Sequence, residues 1–156
     1  MKLVRLIENL NTIEIKGNLK IDINGIAYNS NEAKDKYIFV AIDGLKKDGN
    51  QYIKAAISKG AKVIVTSRDI VAPEDITVIK VKDTRKALSC LSAAFYGESS
   101  KALELIGITG TNGKTTTTYF VKSILDACNL NTSLIGTIGT IISGKHSYSS
   151  YTTPES

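Results

Sequence analysis

Cysteine and histidine are scarce in this 156-residue sequence: Cys90, Cys128 and the lone His146 are all it has. One histidine cannot assemble a zinc cluster, and a hydrolase triad would have to be built around that single residue. The two cysteines lie far apart, each among apolar residues at helical spacing, which predicts buried reduced thiols and neither a disulfide nor a metal site. No stretch approaches the roughly 20 apolar residues of a membrane span. The opening MKLVRLIENLNTIEIKG lacks the continuous apolar run of a signal peptide, so a cytoplasmic protein with no membrane partner is expected. Also missing is a dense basic face with interleaved aromatics, which argues against a nucleic-acid partner. The net charge of +5 is a mild excess, compatible with a solvated surface or with attraction of a small polyanion such as a nucleotide.

What is present is a soluble globular composition, 42% apolar and 22% charged. The length allows one ordinary domain or a small domain plus part of another. Residues 11–28 alternate apolar and polar, with Ile13, Ile15, Leu19, Ile21 and Ile23 as the apolar members, which predicts short half-buried strands near a sheet edge. YIFVAI (37–42), KVIVTS (62–67) and ITVIKV (76–81) are β-rich runs of strand length. Asn50 is expected to open a helix with Ile53, Ala56 and Ile57 on one face and Gly60 as its C-terminal cap. Asp83 is the expected N-cap of a second helix carrying Leu88, Leu91 and Phe95 and stopping near Gly97.

After the polar junction Gly97-Glu-Ser-Ser100 the pattern restarts. Leu103–Thr109 reads as a short buried strand, 110–113 as a loop, Lys114 to about Asn129 as an amphipathic helix, and Ser133–Thr137 as the next parallel strand. That order is a βαβ unit. The expected fold class is therefore α/β, with a compact α/β domain at 1–98 and the beginning of a second domain, an incomplete parallel sheet, at 99–156. Thr153, Pro154 and Glu155 read as the first positions of a helix beginning where the sequence stops, so the second domain is expected to be truncated.

The strongest signal is GITGTNGKTTT, residues 107–117. A phosphate loop works because successive backbone N–H groups and a helix N-terminus converge on one oxyanion, while glycine lets the chain turn without a Cβ in the way. Lysine adds a mobile positive charge for the β and γ phosphates, and the next hydroxyl can hold magnesium. Gly110, Gly113, Lys114 and Thr115 fit these parts, although the usual spacing would place a glycine at 108 and the sequence has Ile108.

The wording TGTNGKTTT resembles the ATP-binding signature of the Mur ligases and their folylpolyglutamate synthetase relatives, in which the first glycine stands three positions before the second. The segment YNSNEAKDKYIFVAIDGLKKDGNQYIKAAISKGA (28–61) is similar to the uridine-nucleotide-binding domain of the Mur ligases. Gly136-Thr-Ile-Gly139 and Thr152-Thr-Pro-Glu155 are similar to the branch that adds the third amino acid. The resemblance covers nearly all of the chain, and is weakest over 1–25 and 66–100.

The resemblance implies an ATP- and Mg²⁺-dependent ligase, a monomer, joining a diamino acid, L-lysine or meso-diaminopimelate, to UDP-MurNAc-L-Ala-D-Glu through an acyl phosphate. It implies that Gly110, Thr111, Asn112, Gly113, Lys114, Thr115 and Thr116 bind ATP, with Lys114 catalytic and Thr115 on the metal. It implies that Tyr28, Ser30, Leu45, Lys46, Lys47, Thr152 and Thr153 bind the UDP-sugar substrate. Asn29 and Asn31 replace the Asp and Arg of the family's D-S-R, and Asn50 replaces the His of its D-G-H; Lys34 or Lys46 could restore the lost charge. The later magnesium carboxylate is expected beyond residue 156, so this chain is expected to be inactive alone. Two alternatives stay open: a non-catalytic UDP-sugar-binding module, and a ligase of the folylpolyglutamate synthetase type.

Overall fold

The structure is a computed structural model describing residues 1–44 and 48–148. The chain forms two compact units, Met1–Leu103 and a second beginning at Glu104.

The first unit is built on a five-stranded sheet of β1 (Thr12–Lys16), β2 (Gly25–Ala27), β3 (Tyr37–Val40), β4 (Val63–Thr66) and β5 (Thr77–Val81), in the order β1-β5-β4-β3-β2. Strands β2 to β5 run parallel, and β1 pairs antiparallel with β5. The alternating segments thus take the two edges of the sheet, where one face can stay wet. Only 12–16 and 25–27 become strand; Leu19, Ile21 and Ile23 pack against the core from a connecting segment. The continuous apolar run of β4 is buried at every residue, because a parallel strand in the middle of a sheet is covered on both faces.

Side chains alternate across that sheet. Ile38, Val40, Val63, Val65, Ile79 and Val81 face Leu3 and Leu6 of α1 (Leu3–Leu6) and Leu88 and Leu91 of α3 (Thr84–Phe95). Phe39, Ala41 and Ile64 face Ile53 and Ala56 of α2 (Ile53–Ser58). The result is three layers, with both faces of the central strands β3 and β4 covered.

The helix punctuation follows the sequence with one change. Asp83 caps α3, accepting from the N–H of Arg85 at 3.0 Å and of Lys86 at 3.1 Å. Gly60 follows α2 at φ +104°, a conformation that an L side chain rarely adopts. Asp48, and not Asn50, opens the segment before α2: its carboxylate accepts from the Asn50 N–H, and a 3₁₀ turn over Gly49–Tyr52 precedes the helix. Aspartate wins because its short acceptor reaches the first free amides while its own backbone stays extended.

The second unit departs further from expectation. Residues 103–109 carry no strand, and Leu103, Leu105 and Ile106 are exposed. A parallel strand needs a neighbour to complete its ladder, and the expected one pairs elsewhere. β6 (Leu134–Gly136) runs antiparallel to β7 (Gly139–Ile142), which runs antiparallel to β8 (Lys145–Ser147). Ser143 and Gly144, at φ 47° and 74°, form the two-residue turn before β8, the left-handed geometry that suits the strand twist. Helix α4 (Lys114–Ala127) forms as expected, but none of its residues is buried, and Phe120 and Ile124 are 66% and 63% exposed. Both cysteines are exposed, against expectation. Cys90 falls off the 84, 87, 88, 91 stripe that α3 turns to the core, and Cys128 ends a helix with no buried face.

Candidate functional site

Two places collect the polar groups that could act on a ligand, one in each unit. In the first unit they lie beyond the C-terminal ends of the parallel strands, the end at which open α/β sheets bind ligands. Tyr28 directly follows β2 and is 38% exposed. Ser30, two residues further, is 9% exposed, and its hydroxyl makes no hydrogen bond among the described residues. No sealed polar side-chain atom lacks a partner there, so this oxygen opens to the surface from an otherwise buried residue. The Asn29 side chain accepts from the Asn31 N–H at 3.0 Å, a local turn that sets the bend around Ser30.

Asn31 has a cationic neighbour. Its Oδ1 accepts from the Lys59 ammonium at 2.8 Å, a lysine that the sequence reading did not name. Leu45, Lys46 and Lys47 lie outside the described residues, but Asp43 and Asp48 on either side of them are described. Asp43 and Asp48 form an antiparallel bridge, and Gly49 N–H donates to the Ile42 carbonyl at 2.9 Å. Asn50 and Arg68 then join both carboxylates. Hydrogen bonds from the Asn50 side chain and backbone, with the Arg68 guanidinium adding to them, hold the Asp48 carboxyl below the usual carboxylate range. A cavity of about 680 Å³ opens at this edge between Asp43, Asn11, Lys82 and the first turn of α3. Apart from Asp83, as a cap, and Asn50, as a helix start and a motif departure, the sequence reading singled out none of these groups. The bonds that tie this edge to β4 and α3, from Thr66 to Asn50 and from Asp43 to Thr84, span 16 and 41 residues and leave no local pattern.

In the second unit the loop before α4 takes the geometry its glycines allow. Gly110 has φ +152° and Gly113 has φ +77°, ψ −5°, in the left-handed region. Gly113 stands as the N-cap of α4 with no side-chain cap, so the first-turn amides of Lys114, Thr115 and Thr116 have no partner within the helix. That is an anion site in form, with the positive end of a 14-residue helix behind it. The Lys114 ammonium bends back to the loop and donates to the carbonyls of Gly110 at 2.6 Å and Thr111 at 3.2 Å. It therefore stands over the space that the loop encloses. The hydroxyls of Thr115 and Thr116 make no hydrogen bond among the described residues, which leaves them available to a cation. These donors fit a magnesium-bound polyphosphate. No group of three His, Cys, Asp or Glu among the described residues could hold a metal by itself. Asp126 is engaged elsewhere: Lys122 and Thr132 both donate to it, and chiefly the Lys122 bond lowers its pKa. Thr152 and Thr153 lie outside the described residues.

Comparison with known proteins adds three findings. A family model described as "Mur ligase family, catalytic domain" matches residues 22–96, and one described as "Mur ligase middle domain" matches residues 108–156. Over 156 residues the chain is 45% identical to UDP-N-acetylmuramoyl-L-alanyl-D-glutamate--2,6-diaminopimelate ligase of Alkaliphilus metalliredigens, covering all of this chain and 32% of that protein. The chain thus spans about a third of the length of the curated relatives it matches. Among solved structures, a UDP-N-acetylmuramoyl-L-alanyl-D-glutamate--2,6-diaminopimelate ligase aligns over 90% of this chain and 28% of its own with a TM-score of 0.69; at 19% identity this speaks for the fold alone. A MurF ligase from Thermotoga maritima in complex with ADP aligns over 67% of this chain and 23% of its own, with a TM-score of 0.51 and 27% identity. Among the described residues no helix is long and apolar enough to cross a membrane.

Proposed function

The chain belongs to the Mur ligase family, and from that premise we propose that residues 1–98 bind UDP-MurNAc-L-Ala-D-Glu and that residues 99–156 begin the domain that binds Mg²⁺ and ATP. The reaction is the joining of the substrate's D-glutamyl carboxylate to an amine of 2,6-diaminopimelate, the amino acid in the relative's name. The carboxylate oxygen attacks the γ phosphorus, ADP leaves, and the amine displaces phosphate from the acyl phosphate with loss of a proton. ATP supplies the leaving group that turns a carboxylate into an acylating agent.

The chain's own residues bind and orient. The amides of Gly110 to Gly113 and of the first turn of α4 take the phosphate oxygens. Lys114 gives up the carbonyls of Gly110 and Thr111 for the β and γ phosphates, and so neutralises charge as the γ phosphoryl group transfers. Thr115, with Thr116 beside it, offers its hydroxyl to magnesium. Ser30 and Tyr28 contact the UDP portion of the substrate. Leu45, Lys46, Lys47, Thr152 and Thr153 join this proposal on sequence resemblance alone. The protein acts in the cytoplasm as a monomer on small molecules, without nucleic acid.

The observation that carries the reading is the left-handed Gly113 opening α4 with Lys114 folded over the loop. Calorimetry on the 156-residue chain tests it. Lys114→Met should weaken Mg·ATP binding at least about tenfold and leave UDP-MurNAc-L-Ala-D-Glu binding intact, and Ser30→Ala should weaken the UDP-sugar and leave Mg·ATP intact. Loss of both ligands from either variant, or binding of neither by the unmodified chain, refutes the assignment. We also propose that these 156 residues bind without turnover, since the described residues hold no carboxylate cluster for the metal. Release of phosphate with substrate, ATP and 2,6-diaminopimelate present would refute that part.

A further inference from the structure

The cavity of about 680 Å³ beside the first turn of α3 holds none of the residues assigned to ATP or to the UDP-sugar. Pairing of Thr12 with Val81 brings Asn11 next to Lys82 where β1 and β5 leave their ladder, and Asn9 and Leu10 close that side. The floor is apolar: Val81 and Ala87 are each 1% exposed, and Leu10 packs against the core. The rim is polar and unspent. Asn9, Asn11, Lys82, Lys86 and Ser89 line the space, and their side chains make no hydrogen bond or ion pair among the described residues. Buried Thr84 accepts from the Asp43 N–H at 3.4 Å, but its own hydroxyl proton meets no acceptor among them. Asp43 and Asp83 also reach the cavity, and both carboxylates are engaged, Asp43 with Arg68 and Asn50, Asp83 with the amides of Arg85 and Lys86. The α3 amides are thus already capped, and the ammoniums of Lys82 and Lys86 are left without a counter-charge among the described residues.

We propose that this cavity is a further ligand site, for a small organic anion that carries at least two negative charges together with hydroxyl groups. Its size falls within the range of ligand pockets, about 300–1,000 Å³, and so does its make-up, an apolar floor with a few convergent polar groups. Lys82 follows β5 and Lys86 lies in the first turn of α3, so ammoniums from two elements serve one space. That arrangement favours a divalent anion over a monovalent one. The amides of Asn9 and Asn11 and the hydroxyls of Thr84 and Ser89 can each donate and accept, which suits a hydroxylated ligand. Phosphate esters and hydroxy-dicarboxylates share this chemistry.

Cys90 supplies the readout, because it lines the cavity and is exposed, while Cys128, also exposed, lies in the second unit. Alkylation of both thiols of the 156-residue chain by iodoacetamide is followed by mass spectrometry, with ribose 5-phosphate or malate added at increasing concentration. At least one of the two should slow alkylation of Cys90 to a saturating minimum and leave Cys128 unchanged; which of them does so tells a phosphate ester from a dicarboxylate. The doubly substituted Lys82→Met, Lys86→Met chain should need at least about tenfold more of the compound for the same protection, and the Lys82→Arg, Lys86→Arg chain about as much as the unmodified one. Neither lysine side chain bonds within the described fold, so the unfolding midpoints should match. Absence of protection by either compound, equal protection of Cys128, or unchanged protection in the methionine variant overturns the proposal. Protection of Cys90 by UDP-MurNAc-L-Ala-D-Glu overturns it as well, because the cavity would then belong to the substrate site. None of the other readouts requires uptake of the UDP-sugar, so this site and the substrate site stand or fall separately.

Discussion

Replacing Gly113 by alanine isolates what the phosphate loop needs from its backbone. Gly113 sits at φ +77°, where an L residue costs about 1–2 kcal/mol. A Cβ added there would meet only Thr117 Oγ1, at 4.0 Å, so there is no steric contribution. Where that cost appears depends on what holds the loop. Residues 110–113 are exposed, and of their backbone carbonyls those of Gly110 and Thr111 are held only by the Lys114 side chain. The substituted loop should therefore relax out of the left-handed conformation when empty, and ligand binding must restore it. A cost of 1–2 kcal/mol then reads out as roughly five- to thirtyfold weaker Mg·ATP binding with the midpoint of unfolding almost unmoved. Gly144→Ala is the matched control. It has φ +74° and open space around it, but it is flanked by the paired residues Ile142 and Lys145, so the turn cannot relax without losing its ladder. There the same cost should appear as lost stability, with ATP affinity unchanged. Calorimetry and thermal unfolding on both variants make the comparison. Wild-type affinity in Gly113→Ala would refute the reasoning, since the empty loop would then be rigid, and weakened ATP binding in Gly144→Ala would refute it from the other side.

Three further outcomes are expected. Lys114→Met should lower ATP affinity at least about tenfold without changing the unfolding midpoint, because its ammonium bonds only to carbonyls of its own exposed loop; calorimetry and thermal unfolding check both halves. Leu91→Ala, at a residue with no exposed surface between α3 and the sheet, should destabilise the first unit by about 2–5 kcal/mol in urea titration. Stability should also fall at both ends of the pH scale, measured as the urea midpoint. Asp22, Asp48, Asp69, Asp75 and Asp126 all have folded-state pKa values lowered below 3.8, so their contribution is present above the unfolded carboxylate range and is lost as pH falls through the lowered values. Lys62, raised above 10.5 chiefly by its hydrogen bond with Asp75, contributes below that value and stops contributing as pH rises through its folded pKa. A flat urea midpoint between pH 5 and 2 would refute the acid arm.

The parts of the fold that were legible are those whose cause is local. A continuous apolar run bounded by turn residues leaves a strand little alternative, so β3, β4 and β5 stand within two residues of the expected bounds. Asp83 and Gly60 punctuate helices through their own side-chain or backbone chemistry. Residues 103–109 carry the same kind of apolar run, yet a run becomes a strand only when a partner edge completes its hydrogen bonds. No local feature reports that partner, and Gly136 and Gly139 instead close a tight antiparallel pair. The loop at 107–117 was legible for the opposite reason, since its glycines, its lysine and the helix start all act within eleven residues. The Asp43, Asp48, Asn50, Arg68 network was not, because Asp48 and Arg68 read alone as ordinary surface residues and Asn50 was legible only as a helix start and a motif departure.

That network also explains why asparagine suits position 50, where the resemblance pointed to histidine. A neutral histidine has one donor and one acceptor, and a charged one has two donors and no acceptor. Asn50 uses two donor contacts and one acceptor contact at once, to Asp43, to Asp48 and from Thr66. Histidine could serve only two of the three in either form. The hydroxyl of Thr66, a residue with no exposed surface, would lose its acceptor if histidine kept both carboxylates, and one carboxylate would be released if histidine kept Thr66. Where Arg68 already supplies a charge that reaches both aspartates, a neutral amide at 50 completes the set without adding a second titrating group. The departure from the motif is therefore matched by its surroundings, in which Asp43, Asp48, Thr66 and Arg68 all bond within one network.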